Sequence, residues 1–203
     1  MHTSVAGRLG PARLAGLAAA CALNIALAQT PPPYPVADQS YVAVDGTRVL
    51  QQAIDVPAGV PEVWKAFTTS EGFASWAAPV AFVDFRLGGH IETTYDPQGK
   101  IGAAGNIRNE IVAFVPGKML AIRNTQAPPD TAFDVPTFQS LHTVILFDPA
   151  GPNATRVTIV QPGFGAGEKF DGVYVHFARG NAWSLQQLAR RFAEGPAKGT
   201  RAP

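Results

Sequence analysis

The chain has 203 residues, 46% of them hydrophobic and only 15% charged, with 20 glycines and 18 prolines. That is poorer in charge than the roughly 25% of an ordinary soluble domain, and short of the glycine and proline content of low-complexity sequence; the length suits one domain rather than two. With 16 basic residues against 15 acidic ones and no single-sign run, the chain lacks the basic surface that non-specific nucleic-acid binding needs. Its single cysteine excludes a disulfide framework and a multi-cysteine zinc site.

Residues 1–28 read as an address. Arg8 and Arg13 precede a 15-residue apolar run, Leu14 to Ala28, that ends Ala26-Leu27-Ala28. A positive start, a short apolar stretch and an A-x-A exit describe a secretory signal cleaved after Ala28, and the run is short for the about 20 residues a membrane span needs. A retained anchor and a lipoprotein acylated at Cys21 are the alternatives, the second disfavoured because apolar sequence continues well past Cys21. The expected location is periplasmic or secreted, with no stable membrane insertion after cleavage.

Residues 29–42 hold four prolines and no periodic pattern, and read as a linker. From Val42 to Val56 partial alternation, broken at Asp45-Gly46, predicts a strand pair or a strand with a turn. Val60, Trp64 and Phe67 recur at helical spacing behind Pro61; Ser70 is the expected cap of a second short helix carrying Phe73 and Trp76. About six β-branched, aromatic-rich runs follow, bounded by glycine, proline, asparagine or aspartate, and their short connections imply antiparallel pairing.

The last element is a helix between Asp171 and Glu194, with Tyr174, Phe177, Leu185, Leu188 and Phe192 on one stripe. Asp171 is its expected cap, Arg190 and Arg191 sit in its last turn, and Gly195-Pro196 ends it. One antiparallel sheet with one long amphipathic helix gives an α+β domain over residues 43–195 with room for a cavity between the two, and a disordered tail over 196–203.

The runs IDVPAGVPEVWKAFTTSEGFASWAAP, VDFRLGGHIETTYDPQGK, NEIVAFVPGKML and TRVTIVQPGFGAGEKFD, with NAWSLQQLARRF at the end, resemble in order and spacing the SRPBCC or START-like superfamily. The branch they are most similar to is that of the activator of heat-shock-protein-90 ATPase homologues, over residues 43–193. The resemblance implies a helix-grip fold, a curved antiparallel sheet wrapped round a C-terminal helix and enclosing an apolar pocket. Roles in that superfamily run from lipid binding to polyketide cyclisation and co-chaperone work, so fold leaves function open. Trp76 stands alone where many relatives carry two adjacent tryptophans, and Leu87 takes the place of a common proline. The co-chaperone role is not carried over, because export separates the chain from a cytosolic chaperone.

Candidate chemistry is sparse. His90 and Glu92 share a strand face, and with His142 they are the candidates for an acid–base or metal group; no metal-ligand motif supports the metal reading, and none is expected. His142 interrupts a strand apolar on both faces and is expected to be at least half-buried. Asp84 and Arg86 form either a surface ion pair or a polar anchor in the cavity. Asn181 lies on the apolar stripe, where it bonds the sheet or meets a ligand, and Gly180 beside it allows the sheet close. Gly163 to Gly167 lacks the lysine and hydroxyl of a phosphate loop and reads as a flexible connector. No G-x-S-x-G elbow is present. Asn153-Ala154-Thr155 is a glycosylation sequon in an expected hairpin turn. Residues 125–139, with three prolines and two phenylalanines, are an expected lid.

The leading expectation is therefore an exported helix-grip protein without cofactor that binds a small lipophilic molecule. Its candidate walls are Trp64, Phe67, Trp76, Phe82, Phe114, His142, Tyr174, Phe177 and Asn181. The alternatives are a cyclase- or hydrolase-like enzyme using His142 with Glu92 or Asp84, and an envelope interaction module with a filled core.

Overall fold

The computed structural model describes residues 34–195; the expected signal, the first part of the linker and the tail lie outside the described residues. The described part of the linker is an edge of the sheet. Strands β1 (Ala37–Asp38) and β2 (Tyr41–Val42) both pair antiparallel with β3 (Arg48–Val56). The reversals between them are held by aspartates: the Ser40 amide donates to Asp38 and the Thr47 amide to Asp45, each at 3.0 Å. Two-residue strands are too short to leave an alternation in the sequence, which is why this stretch reads as linker.

Helix α1 (Val60–Thr68) starts with proline in its first turn and buries Val63, Ala66 and Phe67. Helix α2 (Ser70–Ala74) is capped by Thr69, whose hydroxyl accepts from the Gly72 amide at 3.0 Å. Ser70, the expected cap, instead accepts from the Val83 amide at 2.9 Å and ties α2 to the next strand. That strand is β4 (Val80–Val83), followed by β5 (His90–Thr94), β6 (Ile107–Val115) and β7 (Met119–Gln126). A short helix α3 (Val135–Gln139) precedes β8 (His142–Gly151) and β9 (Ala154–Phe164), and α4 (Glu168–Glu194) completes the domain.

All pairings are antiparallel, in the order β1-β3-β9-β8-β7-β6-β5-β4 with β2 also on β3. The β4–β5 connection needs both its glycines. Gly88 has φ +72°, and a Cβ at Gly89 would meet the Asp84 carbonyl oxygen at 2.0 Å. Asn153 is exposed at the β8–β9 hairpin.

Two boundaries near the last helix differ from expectation. Gly163 and Phe164 belong to β9 and Gly167 stands at the helix N-cap, so the connection proper is shortened to Gly165 and Ala166. The helix has 27 residues, and Asp171 lies inside its first turn. There it pairs with Arg48 at 2.7 Å, joining helix to β3, instead of capping. At the other end Gly195, at φ +99°, donates to the Arg191 carbonyl at 3.1 Å.

Two hydrophobic clusters pack between sheet and helices. The larger joins α1, the strands and the second half of α4 through Phe67, Trp76, Phe147, Leu185 and Leu188. The smaller gathers Leu50, Phe138, Leu141, Phe164 and Val173. Phe147 is the hub of the first: it is 0% exposed, with the rings of Trp64 and Phe67 edge-on at 5.2 and 5.0 Å. Phe147→Ala is expected to cost about 3–5 kcal/mol in urea denaturation; a loss below about 1 kcal/mol would contradict a packed centre here.

Candidate functional site

A cavity of about 710 Å³ lies between the sheet and the first half of α4, inside the range of roughly 300–1,000 Å³ usual for small-molecule sites. Strand alternation builds its floor: Ile91 and Thr93, Ile107 and Asn109, Ile122 and Asn124, Thr143 and Ile145, and Ile159 and Gln161 are alternate residues of five neighbouring strands that all point inward. Phe67, Phe73 and Trp76 close one end, and Phe177, Gly180, Asn181, Trp183 and Ser184 of α4 form the roof. The loop from Ala127 to Phe133, together with Phe138 of α3, supplies the remaining wall. The stretch expected to be a lid thus borders the cavity, where Phe138 stacks on Phe177 at 4.3 Å and Phe133 meets His176 at 4.5 Å.

The polar groups inside are neutral and connected. Asn181 donates to Gln161 Oε1 at 2.9 Å, and Gln161 donates in turn to Thr143 Oγ1 at 2.8 Å. Asn124, on β7, donates through Nδ2 to the Gln126 carbonyl at 2.9 Å, the Arg108 carbonyl at 3.2 Å and Asn109 Oδ1 at 3.3 Å. Its own Oδ1 is buried without a partner. The charged or titratable nitrogen and carboxylate groups on the lining, Asp130, His176 and Arg179, belong to exposed residues. Partial desolvation against the Phe133 and Phe177 rings holds the His176 imidazole below its ordinary pKa, favouring the neutral form.

Of the residues singled out from the sequence, Phe67, Trp76, Phe177 and Asn181 line this cavity. Trp76 brings only its ring, since its indole N–H already donates to the Ala66 carbonyl at 3.0 Å. Trp64 and Phe114 pack with Phe85 beside the larger cluster, at 5.6 and 4.7 Å between ring centroids, and do not reach the lining. Tyr174 lies against Phe164 and beneath the Arg48 guanidinium, 4.9 Å from its ring. Phe82 is 40% exposed on the outer face beside His90.

The proposed acid–base constellation does not assemble. His142 is exposed, opposite Arg123 on the outer face of the sheet, because its neighbours Thr143, Ile145 and Phe147 take the inner one. Asp84 and Arg86 form the expected surface pair at 2.9 Å. Glu92 also faces outward but is 1% exposed beneath the 100–106 loop. Its carboxylate accepts from the Gly102 amide at 2.5 Å, Asn106 at 2.6 Å and Arg108 at 2.8 Å, with His90 Nε2 at 3.7 Å. It is a loop anchor. Among the described residues no group of three or more His, Cys, Asp or Glu side chains is placed to hold a metal, and no helix is long and apolar enough to cross a membrane.

Sequence reasoning missed Asn109, Asn124, Thr143 and Gln161. A signal existed: each is a polar residue two places from an isoleucine on an otherwise apolar strand face. Gly180 has a different role from the one expected, since a Cβ there meets nothing within 4 Å; it leaves space in the roof where close approach was anticipated.

A curved antiparallel sheet gripped round one long helix, with a cavity between them, defines a helix-grip domain. The family model for Activator of Hsp90 ATPase homolog 1-like protein matches residues 57–193, and the chain belongs to that family. Among solved structures it is similar to the Aha1 dimer from Colwellia psychrerythraea, at 15% identity and TM-score 0.57 over 72% of this chain and 97% of that one. CalU16 from Micromonospora echinospora is similar at 17% identity and TM-score 0.54, over 82% and 87%. Protein Ms6760 from Mycobacterium smegmatis is similar at 20% identity and TM-score 0.52, over 76% and 95%. At these identities the likeness speaks for the fold. No curated protein matches the chain in sequence.

The Glu92 anchor makes a pH prediction. Burial alone would raise its pKa, but the bonds from Asn106, Gly102 and Arg108 outweigh burial and hold it below its ordinary value of 4.5. A carboxyl depressed on folding stabilises the fold above its unfolded pKa, and that contribution is lost as pH falls through the folded value. The urea midpoint should therefore drop as pH goes below 4.5, and Glu92→Gln should be less stable at neutral pH with a flatter acid profile. Parallel profiles for the two proteins would remove Glu92 from the acid response.

Proposed function

We propose that this protein is an exported binding protein that holds a small hydrophobic or amphipathic molecule between its sheet and α4. The observation that carries the reading is the cavity itself: about 710 Å³, walled by aromatic and aliphatic side chains and crossed by a connected set of neutral polar groups. Burying a ligand's apolar surface at roughly 25 cal/mol per Å² supplies the drive, offset by the cost of immobilising it. Export, to a periplasmic or secreted location, is supported by the two arginines, the apolar run and the A-x-A exit of residues 1–28. It is also why the chaperone-activating role in the family's description is not proposed for this chain. Neither nucleic acid nor a cofactor enters the reading.

Native mass spectrometry of the protein taken from the exported fraction tests both parts. The expected protein mass begins at Gln29, with an added mass released on denaturation. A chain retaining residues 1–28 would overturn cleavage after Ala28, and absence of the protein from the exported fraction would overturn export.

Gly180 supplies the control for the cavity. Because a side chain there meets open space, Gly180→Leu should keep or raise thermal stability while weakening saturable Nile red binding at least about tenfold. Unchanged binding would place the dye elsewhere. Limited proteolysis should find the Ala127–Phe133 loop protected by bound dye, and cleavage indifferent to dye would end its role as a lid.

A further inference from the structure

The mouth of the cavity differs in charge from its interior. Inside, the polar side chains are carboxamides and hydroxyls, and Asn181, Gln161 and Thr143 bond one another. An ion drawn in there would lose its water with no opposite charge to meet it, which costs far more than burying a neutral hydroxyl. Any charge a ligand carries must therefore stay at the mouth. Helical geometry places that mouth. At about 3.6 residues per turn, Phe177, Asn181 and Ser184 share one face of α4 over the cavity, while His176, Arg179 and Trp183 share the edge beside it. The loop faces this edge, with Phe133 against His176 at 4.5 Å. The exposed residues of the lining, His176 and Arg179 on the helix, Asp130 and Ala132 on the loop, and Tyr95 after β5, border the opening.

This edge presents donors. Arg179 and Trp183 lie one turn apart on α4, and the Tyr95 ring meets that of Trp183 edge-on at 6.2 Å. Among the described residues Arg179 forms no ion pair, although Asp130 lies on the same lining. No protein acceptor engages the Trp183 N–H, and it is not among the unpaired atoms sealed from solvent, which belong to Gln52, Arg108, Asn124 and Gln187. A guanidinium and an indole N–H donate and never accept. Desolvation raises the Tyr95 phenol above its ordinary pKa, which keeps it a donor at neutral pH. The one cation at the mouth is thus unpaired and stands beside neutral donors, at the end of an apolar cavity.

We propose that the mouth is a headgroup site: the protein binds an amphipathic carboxylate with its chain in the cavity and its carboxylate at the α4 edge, paired with Arg179 beside Trp183 and Tyr95. This rests on the binding reading above, and it adds the charge of the ligand and its orientation. A carboxylate gives a guanidinium the charge-assisted bonds it makes best. One arginine, with Asp130 across the opening, suits a single negative charge better than the near two of a phosphate monoester. Asp130 is the competing partner, since a cationic headgroup would choose it over Arg179.

Displacement of Nile red by decanoate, 1-decanol and decylammonium at neutral pH and low salt separates the possibilities, because the three share a chain and differ in headgroup. An apolar site with no cation ranks the alcohol above the carboxylate, since the ion resists leaving water. The expected order is instead decanoate tightest, decanol about fivefold weaker and decylammonium weakest. In Arg179→Gln, a change at an exposed position, decanoate should fall below decanol. Decanol tightest on the wild-type protein, or a decanoate preference that survives Arg179→Gln, would overturn the headgroup site and leave a general apolar cavity. Tightest binding of decylammonium would assign the mouth to Asp130 and overturn it equally. Failure of Nile red and all three probes to bind saturably would overturn the binding reading, and the headgroup site with it.

Discussion

One helix has to cover a sheet that is wider than itself, and the rest of the architecture follows from that mismatch. Strands lie about 4.8 Å apart and a helix with its side chains is about 10 Å across, so α4 can lie against two or three strands. It rests on β3 and β9, fixed there by the Arg48–Asp171 pair and by Gln52 donating to the Ala178 carbonyl at 3.0 Å. The inner faces of β5 to β8 are left for other elements. Near the second half of α4 they are covered by α1 and the stretch after α2, where Trp64 and Phe67 pack on Phe147 and Trp76 packs on Phe67. Near its first half only the 127–139 segment crosses over them, and the space beneath stays open as the cavity.

The polarity of that space is as telling as its volume. A purely structural void would be most stable lined by aliphatic side chains alone, because each buried acceptor without a partner costs about 1–3 kcal/mol. Here Asn109, Asn124, Thr143, Gln161 and Asn181 all face one hollow. Most of their hydrogen-bonding capacity is spent on one another and on strand carbonyls, which keeps the hollow folded and its amides oriented. What is left over is an unpaired acceptor on β7. The arrangement costs stability without adding packing.

Fold was more legible than site, for reasons that lie in particular residues. The order of helices, strands and final helix follows from periodicity and turn residues, which are local signals. The site depends on which strand face turns inward, and that is a parity that local sequence leaves open wherever both faces are apolar. In the run from Leu141 to Phe147, His142 has hydrophobic residues on either side, and it is the tertiary placement of Thr143 against Gln161 and of buried Ile145 and Phe147 that turns it out. Glu92 misleads in the opposite way, since its outward face is buried by a loop that no strand pattern foretells. Trp64, Phe114 and Tyr174, expected as cavity walls, pack against the apolar clusters instead, because whether such a residue borders a hollow depends on what the facing element fails to fill.

Glycine in α4 shows the same trade from the helix side. Gly172 and Gly180 both lie inside the helix, where glycine costs about 1 kcal/mol relative to alanine, and a Cβ at either meets nothing within 4 Å. Neither is needed for close packing or for an unusual backbone angle. At Gly180 the absent side chain lies in the roof of the cavity, between Phe177 and Ser184. A larger residue other than proline would strengthen the helix and take up that open space. The helix is thus weaker there than its length requires, and what that weakness preserves is volume. In a domain whose helix already cannot cover its sheet, the room left over is maintained residue by residue, through a glycine in the roof and amides where aliphatic side chains would have closed it.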